Sequence, residues 1–125
     1  MLDKIFRSIF GGGAKEKPKF YPTQVVGESF HRAELLKVTG CPPKDGYRRE
    51  FNARLVPERN NKHDKNAVRI EINGLPVGHL GRADAKTYRA RNGGEKAKSI
   101  QCKARIMSSG TDYGVYLDIS IEKQE

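Results

Sequence analysis

The chain has 125 residues, of which 36% are hydrophobic and 31% are charged, and it contains no tryptophan. This length accommodates one domain with a modest core and excludes two ordinary domains. The formal net charge of +9 favours a polyanionic partner, that is, nucleic acid, an anionic membrane or an acidic protein, although surplus lysine can also serve solubility alone.

The two cysteines, Cys41 and Cys102, form neither a metal-type pair nor a disulfide framework. We therefore expect free thiols, with one long-range disulfide as the alternative. No apolar segment reaches the length of a transmembrane helix, and residues 1–10 lack the uninterrupted apolar run of a signal peptide. These features predict a cytoplasmic protein.

The chain opens with a short amphipathic segment over residues 1–10, followed by a glycine and lysine linker that extends to residue 19. A helix this short is unstable alone in water, so it needs a contact. The contact can be its own domain, a second copy of the chain, a partner protein or, as the least expected case, a membrane surface. The main domain is predicted over residues 20–125.

The predicted elements of this domain begin with a strand over residues 23–30 and a short helical segment over residues 31–38. Residues 41–46 contain adjacent prolines and Asp-Gly, which favour a loop. Alternating polar and apolar residues predict a second strand over residues 49–56, and a polar loop follows over residues 57–65.

The second half of the domain is predicted as a hairpin, a helix and a second hairpin. Asn73-Gly74, a pair preferred in type I′ turns, joins a strand over residues 68–72 to one over residues 75–80. A helix follows over residues 81–91, and two long alternating strands lie between residues 100 and 122. The predicted fold is mainly β: a small six-stranded, mostly antiparallel, partly open (OB-like) barrel with one or two short helices.

Three short motifs occur in order along the domain: Val25-Val26-Gly27, then Asn61 followed by Asp64-Lys65-Asn66-Ala67-Val68, then Val77-Gly78-His79-Leu80. Together they resemble the HIRAN domain, a small β-rich module of DNA-remodelling helicases that also occurs as short bacterial proteins. The resemblance covers about residues 25–92. It implies a free-standing module that binds single-stranded DNA at an end with a free 3′-hydroxyl.

The resemblance places nucleic-acid contacts in the polar loop, at Asn61, Lys62, His63, Asp64 and Lys65. HIRAN domains carry a base-stacking aromatic residue between the asparagine and the aspartate, and here that position holds His63. Asp64 would accept a hydrogen bond from the 3′-hydroxyl and would repel a 3′-phosphate. The alternative is that the asparagine and aspartate side chains satisfy the loop's own backbone donors.

Two further places are implied to bind the DNA end. Ser29, Phe30 and His31 stand where the family has a basic residue followed by aromatic residues, although Phe30 can equally belong to the core. By the same resemblance, His79 would line the pocket for the terminal nucleotide and Arg82 would contact a phosphate. A solvated arginine in the first turn of a helix is the alternative for Arg82.

A basic face is predicted on the helix and on the strand after it, where acidic residues are sparse. On this face we expect Lys86 and Lys103 to contact phosphates, and a merely solvated surface is the alternative. Its members are Lys86, Arg89, Arg91, Lys96, Lys98, Lys103 and Arg105.

The sequence offers little support for an enzyme. It has no Walker loop, dinucleotide fingerprint or nucleophile elbow, and His63-Asp64 is a lone pair without metal-ligand spacing. We therefore expect no catalysis, no metal and no cofactor. The alternatives to binding a DNA end are a protein-interaction or membrane-tethered adaptor that acts through residues 1–10, and binding of RNA or polyanions in general.

Overall fold

The computed structural model describes residues 20–121, so the predictions for residues 1–19 lie outside the described residues. Six strands are present: β1 (Thr23–Val26), β2 (Asp45–Pro57), β3 (Val68–Ile72), β4 (Leu75–Leu80), β5 (Ile100–Ser109) and β6 (Tyr113–Leu117). Two α-helices, α1 (Arg32–Thr39) and α2 (Arg82–Arg91), and two 3-10 helices, Glu28–His31 and Gly94–Lys96, connect them. No described helix is long and apolar enough to cross a bilayer.

The strands form a closed barrel in the order β1-β4-β3-β2-β5-β6, and every pairing is antiparallel. The prediction of a mainly β, six-stranded barrel is confirmed, but the barrel is closed rather than partly open. The short strand β1 closes it, because Val25 and Val26 pair with β4 while Thr23 and Gln24 pair with β6. Closure removes the exposed strand edges that a small sheet would otherwise have.

The predicted boundaries of three strands are wrong. The first strand ends at Val26, because the chain then turns into the 3-10 helix Glu28–His31. The second strand is longer than predicted and covers Asp45–Pro57, since it pairs with both β3 and β5. The sixth strand ends at Leu117, although the apolar alternation continues to Ile121.

The core fills the barrel and is closed by residues from both α-helices. Leu35 of α1 is fully buried, as are Ala85 of α2 and most inward-facing aliphatic side chains of the strands. Each fully buried aliphatic side chain contributes about 1.5–3 kcal/mol. The largest of these side chains are Leu35, Leu55, Ile70, Ile72, Ile106 and Leu117.

One turn and one glycine of β4 fix how the β3–β4 hairpin sits in the barrel. Asn73 and Gly74 both have positive φ, 55° and 78°, which agrees with the predicted type I′ turn. Farther along β4, a Cβ added to Gly78 would lie 2.5 Å from Val25 Cγ1 and 2.6 Å from Val26 O. Gly78 therefore allows the close approach of β1, which closes the barrel.

Candidate functional site

The site begins with a row of outward-facing residues across four neighbouring strands. In the strand register, Val26 of β1 lies opposite His79 of β4, His79 opposite Arg69 of β3, and Arg69 opposite Val56 of β2. Their sequence neighbours Val25, Leu80 and Ile70 are buried. The alternation of side chains along a strand therefore places His79 and Arg69 side by side on the outer surface.

Glu58, the first residue after β2, connects this row to the polar loop. Its Oε2 atom lies 3.1 Å from Arg69 Nη1 and 3.1 Å from His79 Nε2, and its Oε1 atom accepts a hydrogen bond of 2.8 Å from Asn61 Nδ2. Arg69 Nε in turn donates to Glu71 Oε2 at 2.8 Å. We call Glu58, Asn61, Arg69, Glu71 and His79 the Glu58 network.

The Glu58 network favours the ionised carboxylate. Burial acts to raise the pKa of Glu58, but the hydrogen bonds from Asn61, His79 and Arg69 outweigh it and lower that pKa below its ordinary value. The hydrogen bond to Glu71 is the main cause that raises the pKa of Arg69, and the bond to Glu58 adds to it. The network is thus an ordered cluster of charges in which only 18% of the Glu58 side chain is exposed.

The side chains of Asn61 and Asp64 organise the loop between β2 and β3. Asn61 Oδ1 accepts hydrogen bonds from the backbone N–H groups of His63 (2.8 Å) and Asp64 (3.0 Å). Asp64 Oδ1 accepts one from the N–H of Asn66 at 2.9 Å. The alternative interpretation, that these side chains satisfy the loop's own backbone donors, describes the geometry correctly for both residues.

Several groups of the loop remain free for a ligand. Asp64 Oδ2 has no hydrogen bond from any residue in the range 20–121. The side chains of Lys62, His63 and Lys65 are exposed, and no described residue forms a hydrogen bond or ion pair with them. Hydrogen bonds within the loop therefore stabilise it, while the side chains of Lys62, His63 and Lys65 are exposed to solvent.

Phe30 is on the surface and not in the core. It lies in the 3-10 helix Glu28–His31, which packs on β4, and 85% of the residue is exposed. The neighbouring His31 ring has its centroid 6.5 Å from that of His79, with the two planes tilted by 41°. His31 Nδ1 lies 3.7 Å from Glu34 Oε1. His31 thus stands beside the Glu58 network, and Phe30 precedes it in the same 3-10 helix.

Ser29 and Lys103 are not brought to this site. Ser29 lines a separate cavity of about 240 Å³, together with Asp112 from the turn between β5 and β6 and Tyr113 at the start of β6. Lys103 lies on β5, which is three strands away from β4 in either direction around the barrel. Arg82 and Lys86 are exposed on the first turns of α2, which directly follows β4, and their spacing puts them on one helix face.

The predicted basic face is not a continuous solvated surface. Arg89 is only 3% exposed and donates to backbone carbonyls, including that of Glu58 at 2.6 Å. Arg105 donates to Glu50 Oε2 at 2.9 Å, and its guanidinium lies 4.3 Å from the centroid of the Tyr21 ring. Of the seven predicted members of this face, only the four lysines and Arg91 lie at exposed positions.

The sequence interpretation missed Glu58 and Arg69. The alternation in β3 already indicated that Arg69 and Glu71 share the outer face, but it did not indicate that His79 lies beside Arg69. Glu58 stood among polar loop residues and had no distinguishing signal.

Residues 20–121 contain no group of three or more histidine, cysteine, aspartate or glutamate side chains placed to hold a metal ion. Comparison of the chain with protein-family models, with curated proteins and with solved structures found no match.

Proposed function

We propose that this protein binds nucleic acid and recognises the end of a single-stranded DNA that carries a free 3′-hydroxyl. The exposure of Phe30 is the observation that carries the proposal. A phenylalanine side chain left in water forgoes about 1.5–3 kcal/mol of burial, and an aromatic face on a short helix offers a surface on which a base can stack. His31 follows Phe30 in the same 3-10 helix, and its ring lies 6.5 Å from that of His79, so the proposed surface includes two imidazole rings.

The cations around this surface supply the contacts to phosphate. Lys62, Lys65, Arg82 and Lys86 are exposed, and none of them has a carboxylate partner within the described part of the chain. Such contacts give affinity that falls steeply with salt and that carries no base preference. Ser29 and Lys103 were predicted to join this interface, and their positions give them no place in the proposal.

The preference for a 3′-hydroxyl is assigned to Asp64. Its Oδ2 atom is available to accept a hydrogen bond from a hydroxyl, whereas a 3′-phosphate would bring negative charge against the same carboxylate. Asn61 has a positioning role, because its amide already binds two backbone N–H groups and Glu58.

The test measures binding by fluorescence anisotropy with short single-stranded DNAs that end in a 3′-hydroxyl or a 3′-phosphate, over a series of salt concentrations. Phe30→Ala should weaken binding by about 5- to 100-fold, the equivalent of one stacked base. Phe20→Ala is the matched control, because Phe20 is also 71% exposed but precedes β1, at the opposite end of that strand from Phe30.

Asp64→Asn tests the end preference while it keeps an oxygen for the N–H of Asn66. We expect this variant to bind both ends equally, with a gain for the 3′-phosphate. If Phe30→Ala and Phe20→Ala bind alike, or if the wild-type protein does not distinguish the two ends, the end-binding proposal is wrong. A matched RNA oligonucleotide then shows whether the charge alone attracts polyanions.

A further inference from the structure

A second feature lies on the other side of the loop between β2 and β3. A cavity of about 450 Å³ separates this loop from the 3-10 helix Gly94–Lys96. Three of the residues that line it are cationic and one is acidic, so its formal charge is positive. The lining residues are Arg59, Lys65, Asn66, Arg89, Gly94 and Glu95.

Arg89 carries a buried charge without a counter-ion. It is 3% exposed, its Nη1 donates to Gly94 O at 3.0 Å, and its Nη2 donates to Glu58 O at 2.6 Å and Ala67 O at 3.3 Å. None of these acceptors is a carboxylate, no described carboxylate pairs with it, and Nε has no partner among the described residues. A buried charge is costly unless an opposite charge is close, so the neighbouring cavity favours an anion.

Arg59 and Lys65 add two more uncompensated charges. The guanidinium of Arg59 donates to the backbone carbonyls of Glu95 and Ala97, and within residues 20–121 neither Arg59 nor Lys65 pairs with a carboxylate. Asn66 lines the same cavity, and its side-chain amide has no hydrogen bond to any described residue. Because main-chain carbonyls fix both arginines, these charges are in place before an anion arrives.

We propose that this cavity binds a phosphate group, with Arg59, Lys65 and the Asn66 amide as direct donors and Arg89 as a buried charge that favours the anion. The phosphate can be free or can belong to a nucleic-acid backbone. Binding of a phosphate group stands independently of the proposed function, and only its assignment to DNA rests on that function.

The first measurement is a titration of the full chain with inorganic phosphate, followed by amide NMR shifts, against chloride at equal ionic strength. Saturable shifts at Lys65, Asn66, Gly94 and Glu95 are expected. The Lys65 side chain forms no hydrogen bond or ion pair with a described residue, and Lys65→Gln should weaken phosphate binding by about tenfold. Arg59→Gln should do the same, and Arg54→Gln on the exposed face of β2 is the control that removes an equal charge elsewhere.

Shifts that do not saturate, or an equal effect of Arg54→Gln and Lys65→Gln, would overturn the site. A second arm uses a single-stranded oligonucleotide. If it shifts the same amides and competes with phosphate, the source is the DNA backbone. If phosphate binds here but no oligonucleotide does, the cavity takes free phosphate and the proposed function fails alone. If DNA binds at Phe30 while phosphate leaves these amides unchanged, the cavity proposal fails alone.

Discussion

Replacement of Glu58 by alanine removes the acceptor that joins the polar loop to the barrel wall. The three partners left behind are Asn61 Nδ2 at 2.8 Å, Arg69 Nη1 at 3.1 Å and His79 Nε2 at 3.1 Å. Arg69 keeps its hydrogen bond to Glu71, so its guanidinium is not left without a partner. The loop, however, loses its only side-chain attachment to β3 and β4 among the described residues.

The expected cost follows from counting these contacts and discounting them for solvent. A hydrogen bond to a charged group contributes about 1.5–3 kcal/mol when it is shielded from water. The side chains of Arg69 and His79 are 31% and 35% exposed, so water replaces part of each contact. We therefore assign about 0.5–1 kcal/mol to each of the three bonds and expect a total loss of about 1.5–3 kcal/mol. For a domain of this size, that corresponds to a fall in melting temperature of about 10 °C.

The assay is equilibrium unfolding in urea, with melting as a second measure. Glu50→Ala is the matched control, because Glu50 of β2 is also a glutamate with a guanidinium partner, but its side chain is 46% exposed and accepts one bond, from Arg105. We expect Glu50→Ala to cost less than about 1 kcal/mol. A Glu58→Ala protein as stable as the Glu50→Ala protein would refute the structural role assigned to the network.

The same residue makes stability depend on acid. Because the pKa of Glu58 is lower in the folded protein than its ordinary value of 4.5, the unfolded chain takes up this proton first. The carboxylate therefore contributes its full stabilisation above pH 4.5, and that stabilisation is lost as the pH falls through the folded pKa. The stability difference between wild type and Glu58→Gln should shrink from about pH 6 to about pH 3.5, since glutamine does not titrate. A difference that is constant across this range would contradict the network as the cause.

Two further predictions concern the barrel itself. Gly78→Ala should lower the free energy of unfolding, measured in urea titrations, by about 1–3 kcal/mol, because the new Cβ atom would collide with β1. Gly81→Ala is the control and should be tolerated, since the Cβ atom there would meet only Val26 Cγ1 at 4.0 Å. Burial raises the pKa of Cys102 to about 12, so roughly one molecule in ten thousand carries the thiolate at about pH 8. Peptide mapping after iodoacetamide treatment should find Cys102 unmodified in the folded protein and modified in urea, and equal rates in both states would contradict its burial.

The barrel could be predicted because its strands carry a clear period of two and its main hairpin an Asn-Gly turn. The ends of the strands could not, because alternation says which residues share a face but not where the partner strand stops. Ile119 and Ile121 keep the apolar pattern and pack against the core, yet β6 ends at Leu117. Phe30 likewise has the parity of a strand residue, but the chain has already turned at Gly27.

The Glu58 network depends on a β-bulge between β3 and β4 that the sequence pattern does not predict. A regular hairpin with Ile72 opposite Leu75 would place Arg69 opposite Gly78. The register shifts by one residue between Ile70 and Glu71, so Arg69 instead lies opposite His79. This single shift brings the guanidinium of Arg69 and the imidazole of His79 to the carboxylate of Glu58. It explains why Asn61 and His79 were predicted as site residues while Glu58, which binds both, was not.

Glu58 serves both proposed surfaces, but with different atoms. The side chain of Glu58 holds Asn61, Arg69 and His79 on the side of Phe30, whereas its backbone carbonyl accepts a hydrogen bond from Arg89 at the cavity. Its N–H donates to Ala67 O at 2.9 Å, which closes the base of the loop without the side chain. Glu58→Ala should therefore weaken recognition of the DNA end while phosphate binding in the cavity survives. If Glu58→Ala loses both DNA-end recognition and phosphate binding, the loop acts as one structural unit and does not separate two independent sites.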